Sequence, residues 1–245
     1  MNYTIDINCD LGEGIGNDAL IMPLISSCNI ACGGHAGNEK TIRDTVKLAL
    51  KHHVKIGAHP SYPDPVNFGR RKMDMSLAEL QKSIEEQVNR IRSIVNGLGG
   101  VLHHIKPHGA LYNEAAKDKD IAQTIINAVK NTSQKVFLYV PYKSAIEKLA
   151  PENDIPIKRE AFADRNYNRD RSLVSRTFDH ASIKDPVQVK GHLVNMIRNK
   201  QVICIDGVGV AMEADTFCIH GDNPEAVKIL DYLHGELPKS GIKIE

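Results

Sequence analysis

Val54-Lys55-Ile56-Gly57-Ala58, the turn His59-Pro60, a helical stretch carrying Leu77, Leu80, Ile84, Val88, Ile91, Val95 and Leu98, and then Val101 to Lys106 form the segment whose reading decides the fold. The apolar residues of its middle part recur at steps of three and four, which puts them on one face of a helix. Ser76 and Glu79 are spaced as a capping box at its start, and Gly97, Gly99 and Gly100 end it. The flanking runs are short and β-type. Two such runs joined through an amphipathic helix predict parallel strands with a helical crossover.

The same unit repeats outward in both directions. Upstream lie the runs Thr4 to Cys9 and Ser27 to Ala31, the second followed by a helix over about residues 39–53. Downstream come a helix over about 118–130, a strand over 136–140, a short helix after Tyr142 and a strand over 157–162. Asp185-Pro186 opens a further helix with Asp at the N-cap and Pro at the first turn. Val202 to Gly207 reads as one arm of a hairpin with an Asp-Gly turn, Thr216 to Ile219 as the last core strand, and Asn223-Pro224 as the opening of the final helix. Strands alternating with helices predict one α/β domain over residues 1–245 with a parallel sheet. Roughly seven units suit a closed, TIM-like β/α barrel. An open doubly wound sheet is the competing geometry, and periodicity does not separate the two.

Bulk properties restrict the function. The 245 residues are 42% hydrophobic and 25% charged, with a formal net charge of +1, so no global field favours nucleic acid or an acidic membrane. There is no Trp and aromatic content is 5%, which argues against base-stacking platforms. The N-terminus, Met1-Asn2-Tyr3-Thr4-Ile5-Asp6, lacks the basic and apolar regions of a signal peptide, and no run is long enough to span a bilayer. Five cysteines with no CxxC pair suggest reduced thiols in a cytoplasmic protein, with Cys9, Cys204 and Cys218 read as small buried residues.

In parallel α/β folds chemistry collects beyond the carboxyl ends of the strands. Here Asp10 and Glu13 follow the first strand, His35 the second, His59 with Ser61 and Tyr62 the third, and Lys106, His108 and Tyr112 the fourth. Asp164 and Arg165 follow the sixth, and His220 with Asp222 the last. Any one of these alone reads as a helix cap or solvated loop residue; the recurrence points to a site. His52 and His53 end a helix and His103 and His104 lie within a strand, so those four read as structural. Gly12-Glu13-Gly14-Ile15-Gly16 has the wrong spacing for a dinucleotide loop, and no P-loop occurs. The glycine-rich turn of Gly33, Gly34 and Gly37 remains as a backbone nest for phosphate. Asp10, His35 and His59 form a metal-type trio from separate strands, although the usual same-helix histidine spacings are absent.

At these same loops the chain resembles the LamB/YcsF family, associated with the A subunit of 5-oxoprolinase. The matching segments are Asn8 to Gly14, Asn29 to Gly37, Gly57 to Asp64, Phe68 to Arg71, Lys106 to Asn113, Glu160 to Arg165 and His220 to Asp222. Gly34 stands where the family usually has Phe, and Arg171 where it usually has Gly. The resemblance implies a seven-stranded β/α barrel similar to metal-dependent polysaccharide deacetylases. It also implies partnership with subunits B and C in converting 5-oxoproline and ATP to L-glutamate. For that reaction Asp10 or Asp222 is the expected base, Lys106 with His108 the stabiliser of developing charge, and Arg70 or Arg165 the partner of the substrate carboxylate. Glu13 and His59 are placed with the catalytic groups, and His35, Tyr112, Asp164 and His220 around the substrate. The rivals are a stand-alone metal-dependent deacetylase or amidohydrolase, and a non-catalytic subunit that presents substrate. No nucleic-acid or membrane partner is expected.

Overall fold

The computed structural model describes residues 3–132 and 135–245; Met1 and Asn2, part of the N-terminal stretch read above, lie outside them. Among the described residues there are ten strands: β1 (Tyr3–Leu11), β2 (Ser27–Ala31), β3 (Lys55–His59), β4 (Leu102–Ile105), β5 (Phe137–Pro141), β6 (Ile157–Phe162), β7 (Gln201–Ile203), β8 (Gly209–Ala211), β9 (Thr216–Cys218) and β10 (Ile242–Ile244). The helices are α1 (Asp18–Ile21), α2 (Glu39–Lys51), α3 (Leu77–Gly97), α4 (Gly109–Ala115), α5 (Lys119–Lys130), α6 (Ala145–Glu152), α7 (Pro186–Asn199) and α8 (Ala226–Glu236).

Seven strands pair in parallel in the order β1-β2-β3-β4-β5-β6-β9, and β9 returns to β1 through Asp6↔Thr216, Ile7↔Phe217 and Asn8↔Cys218. That last pairing makes the sheet a barrel and removes the open alternative. β10 adds in parallel to the start of β1, and β7 and β8 form the antiparallel hairpin outside the barrel, with Asp206-Gly207 in its turn.

The expected capping box at the start of α3 is present, with Ser76 accepting from the Glu79 N–H and Glu79 accepting from Ser76. Leu80, Ile84, Val88, Ile91 and Val95 are buried. Full burial of each such side chain contributes roughly 1.5–3 kcal/mol, which is enough to hold the helix against β3 and β4.

Strand β1 shows how the barrel sorts its side chains. Ile5, Ile7, Cys9 and Leu11 join the hydrophobic core, whereas Asp6, Asn8 and Asp10 alternate with them and form polar contacts across the lumen. Those contacts stack in layers. At the bottom Asp6 accepts from Ser27 at 2.7 Å and Thr216 at 2.6 Å. Above it the Asn29 amide donates to Asn8, and its oxygen lies 2.7 Å from His104 Nε2. His104 stacks on Tyr139 with centroids 4.0 Å apart. It fits because residue 57 is glycine: a Cβ there would lie 2.1 Å from His104 Nε2. Burial pushes His104 well below the usual histidine range, so its ring is neutral. The third layer, at the carboxyl ends of the strands, is the candidate site.

Candidate functional site at the carboxyl end of the barrel

Lys106 follows β4 and points back into the lumen, where it is 2% exposed. Its ammonium lies 2.9 Å from Asp10 Oδ1 and 2.9 Å from Glu160 Oε1, and donates to Cys218 Sγ at 3.1 Å. Burial alone would push the ammonium down; the Asp10 and Glu160 carboxylates outweigh it and hold Lys106 well above the ordinary lysine value. For Asp10 burial pushes the carboxyl up, and His59 and Lys106 more than reverse that, leaving it well below the usual carboxylate range. A charged triad is therefore held inside the barrel. Asp10 Oδ1 is taken by Lys106 and by the Asn29 amide at 2.8 Å. Its other oxygen, Oδ2, faces His59 Nε2 at 3.4 Å.

Four further groups converge beside this triad. One ligand-type atom from each of Glu13, His35, His59 and His108 lies within 4.8 Å of all the others. His35 Nε2 is 3.0 Å from Glu13 Oε1, and its ring stacks on His108 at 3.7 Å with planes 6° apart. Burial, followed by the neighbouring His59 and His35, pushes His108 well below its ordinary value; burial also lowers His35, against the pull of Glu13. On the other side of Asp10, His220 stacks on Phe162 and its Nδ1 lies 2.8 Å from Asp164, which also accepts the His220 backbone N–H at 3.1 Å. Burial pushes Asp164 up, but His220 and Asn223 hold it below its usual value.

Sequence-marked residues thus separate into those brought together and those placed elsewhere. Asp10, Glu13, His35, His59, Lys106, His108, Asp164 and His220 share one end of the barrel. Tyr112 is buried there too, and burial, with Glu160 beside its hydroxyl, pushes that phenol well above its usual value. Arg165 is turned away into structure: it donates to the Ala181 carbonyl at 3.1 Å and the Val174 carbonyl at 2.6 Å. Asp222 is engaged at the rim by Arg70 and by Arg176, the latter at 3.1 Å, which ties three loops together. The three glycines of the suggested phosphate nest are packed against the chain itself. The Gly33 N–H donates to Ala36 O, a Cβ at Gly34 would meet Gln87 Oε1 at 2.3 Å, and one at Gly37 would meet Ala31 O at 2.6 Å.

Glu160, Cys218, Asn8 and Asn29 were not marked by the sequence reading as site residues. The signal available was strand alternation: Glu160 stands two residues before the end of β6 and Asn8 two before Asp10, on the lumen face. Cys218, read as a small apolar residue, is a thiol facing the Lys106 ammonium; burial keeps it protonated by pushing it well above the usual thiol value. A cavity of about 410 Å³ at the opposite end, lined by Thr4, Phe137, Lys158 and Asp215 among others, lies at the amino ends of the strands. The convergent ionisable groups are not there, so cavity size does not locate the chemistry.

Residues 5–245 match the LamB/YcsF family. The chain belongs to that family. It is 40% identical over 244 residues to the 5-oxoprolinase A subunit of Bacillus cytotoxicus, covering 98% of this chain and 97% of the relative. It is 42% identical over 246 residues to the protein of the same name from Geobacillus thermodenitrificans, covering 99% and 96%. Among solved structures it superposes on a lactam utilization protein from Thermus thermophilus with a TM-score of 0.92, 35% identity and 99% of each chain covered. A deacetylase, T48, shares the fold at a TM-score of 0.50 and 14% identity. The family's usual Gly at position 171 has a backbone reason in this LamB/YcsF chain, since Arg171 has φ of +71°, a region that favours glycine. At position 34, the Ser61–Gln87 hydrogen-bonded pair occupies the space a larger residue would need.

Proposed function

We propose that this chain opens the lactam ring of 5-oxoproline as the A subunit of an ATP-using 5-oxoprolinase. The reading is carried by the buried Lys106 ammonium held between Asp10 and Glu160 at the mouth of the barrel, in a chain whose relatives are named for that enzyme. A lactam carbonyl is a poor electrophile. Transfer of the γ-phosphoryl group of ATP to the carbonyl oxygen, with release of ADP, makes its carbon open to water. Asp10 Oδ2, the carboxylate oxygen not taken by Lys106 or Asn29, removes the water's proton as the C–O bond forms. The C–N bond then breaks, with the proton that Asp10 took from water passed on to the ring nitrogen. The resulting acyl phosphate is hydrolysed by a second water to glutamate and phosphate. Lys106 stabilises the negative charge that develops on oxygen, in a water-poor site where such stabilisation is strongest. Arg70 and Arg176, which share Asp222 at the rim, provide guanidinium groups for the substrate carboxylate. ATP enters as co-substrate of the whole assembly, with subunits B and C as partners.

A divalent metal would be held by Glu13, His59 and His108, and its chemistry would be Lewis-acid polarisation of the lactam carbonyl. The same cluster favours a second reading, an ATP-independent metal-dependent amidohydrolase. One experiment separates them: glutamate formation from 5-oxoproline by the assembled subunits, with ATP and this chain omitted in turn. The proposal expects turnover only when both are present. Equal turnover without this chain contradicts it, and turnover by the isolated chain without ATP supports the amidohydrolase.

A further inference from the structure

We infer that Glu13, His59 and His108 form a site for a borderline-soft divalent metal ion of the zinc or cobalt type, with His35 as the residue that positions Glu13. The argument begins with two backbone carbonyls. His59 Nδ1 is 2.8 Å from the Lys106 carbonyl oxygen, and His108 Nε2 is 2.9 Å from the Phe68 carbonyl oxygen. A carbonyl oxygen only accepts, so each of those nitrogens carries the ring hydrogen. The remaining nitrogens, His59 Nε2 and His108 Nδ1, are then the ones left to offer lone pairs. These two atoms are 2.9 Å apart. The other atoms facing them are also acceptors: Asp10 Oδ2 is 3.4 Å from His59 Nε2, and Glu13 Oε1 is 3.7 Å from His108 Nδ1. Two ring nitrogens this close, faced by two carboxylate oxygens, call for either a shared proton or a metal ion between them.

The spacing suits a metal ion. Donor atoms bound at about 2.1 Å to one ion stand roughly 3.0–3.4 Å apart, for angles from a right angle to the tetrahedral value. The observed separations bracket that range. Locking the far nitrogen of each histidine on a carbonyl is the arrangement that fixes tautomer and ring direction in metal-binding histidines. His35 extends it: Nε2 donates to Glu13 Oε1 at 3.0 Å, while its buried Nδ1 has no hydrogen-bond partner among the described residues. The fold invests local strain in this geometry. Phe68 has φ of +55°, in the left-handed region, and that turn delivers its carbonyl to His108. Glycine at 109 lets the two loops meet, since a Cβ there would lie 2.6 Å from Gly69 O. Two imidazole nitrogens and one carboxylate oxygen favour zinc, cobalt, nickel or ferrous iron over magnesium or calcium.

The donor geometry stands apart from the identity of the substrate, so loss of either reading leaves the other intact. The test uses full-length protein, stripped with chelator and titrated with Co²⁺, with visible d–d absorption and elemental analysis as readouts. The expected result is one chelator-reversible Co²⁺ per chain, displaced by Zn²⁺ and unaffected by excess Mg²⁺. Glu13→Gln and His108→Asn should each weaken binding by at least about tenfold, and His35→Asn by a measurable but smaller factor. Two results would overturn the site: absence of stoichiometric uptake by the wild-type chain, with ring ¹⁵N shifts showing a proton shared by His59 and His108 instead, or unchanged uptake in both Glu13→Gln and His108→Asn. The wild-type titration decides even if a variant does not fold.

Discussion

Replacing Lys106 with Met removes one charge and little volume, and the consequences can be worked from the site. Lys106 is 2% exposed and stands 2.9 Å from each of two carboxylates whose side chains are also buried, Asp10 at 6% and Glu160 at 0%. Breaking a buried pair by deleting one partner costs about 3–5 kcal/mol, because the remaining charge is left uncompensated. That is a large part of the roughly 5–15 kcal/mol that holds a domain together. The pH dependence should change as well. In the wild-type protein Asp10 lies below its unfolded value of about 3.9, so it contributes stability that is present above that pH and lost as pH falls through the folded value. Without the ammonium, burial is less opposed and the Asp10 carboxyl shifts upward. Once it lies above the unfolded value, its contribution is greatest below that value and falls as pH rises toward the new folded one. Urea unfolding followed by circular dichroism at pH 5 and pH 7 reads both effects. The deficit of Lys106→Met relative to wild type should widen from pH 5 to pH 7, reaching about 3–5 kcal/mol. A variant within about 1 kcal/mol of wild type at pH 7, or one with an unchanged pH slope, refutes the reasoning.

Two further outcomes follow from the packing. Arg165→Leu should act on structure, since it unpairs the Val174 carbonyl and leaves the Ala181 carbonyl with the Asn166 N–H alone; a loss of about 1–3 kcal/mol for the orphaned group, with faster amide exchange over residues 165–182, is expected, and a raised KM with unchanged stability would speak for a substrate contact instead. Gly57→Ala should cost about 1–3 kcal/mol, because the added methyl meets His104; thermal melts equal to wild type would show that the lumen is looser than described.

The sequence carried the strand–loop–helix rhythm almost to the residue in places. The expected helix after Ser76 is α3 with its capping box, and the expected strands at 27–31 and 157–162 are β2 and β6 as found. Their legibility comes from local chemistry, namely apolar spacing and capping residues. Barrel closure was not legible in periodicity and was expected only through the family resemblance, because β1 and β9 meet across more than two hundred residues through backbone bonds that leave no side-chain signature. Helix α4 and strand β10 were also missed: α4 is seven residues long and starts directly after His108, and β10 is three residues long. At the site, residues just beyond strand ends were visible from position alone. Glu160 and Asn8 lie one layer deeper, where alternation shows which face a residue takes but not what stands opposite it. Arg165 and Asp222 have the residue types a substrate site needs. Only the fold reveals that Arg165 is spent on carbonyls and that Asp222 is shared by two arginines.

The central claim is that the ionised Asp10, fixed by Lys106 and Asn29 through one oxygen, does its work through the other. Asp10→Asn keeps the shape and removes the base, so it tests that claim most directly. In the assembly reconstituted with subunits B and C, single-turnover conversion of 5-oxoproline to glutamate should slow by about 10²–10⁴-fold, with the circular dichroism spectrum unchanged. Conversion within about twofold of wild type, a difference of under 0.5 kcal/mol in barrier, would contradict it.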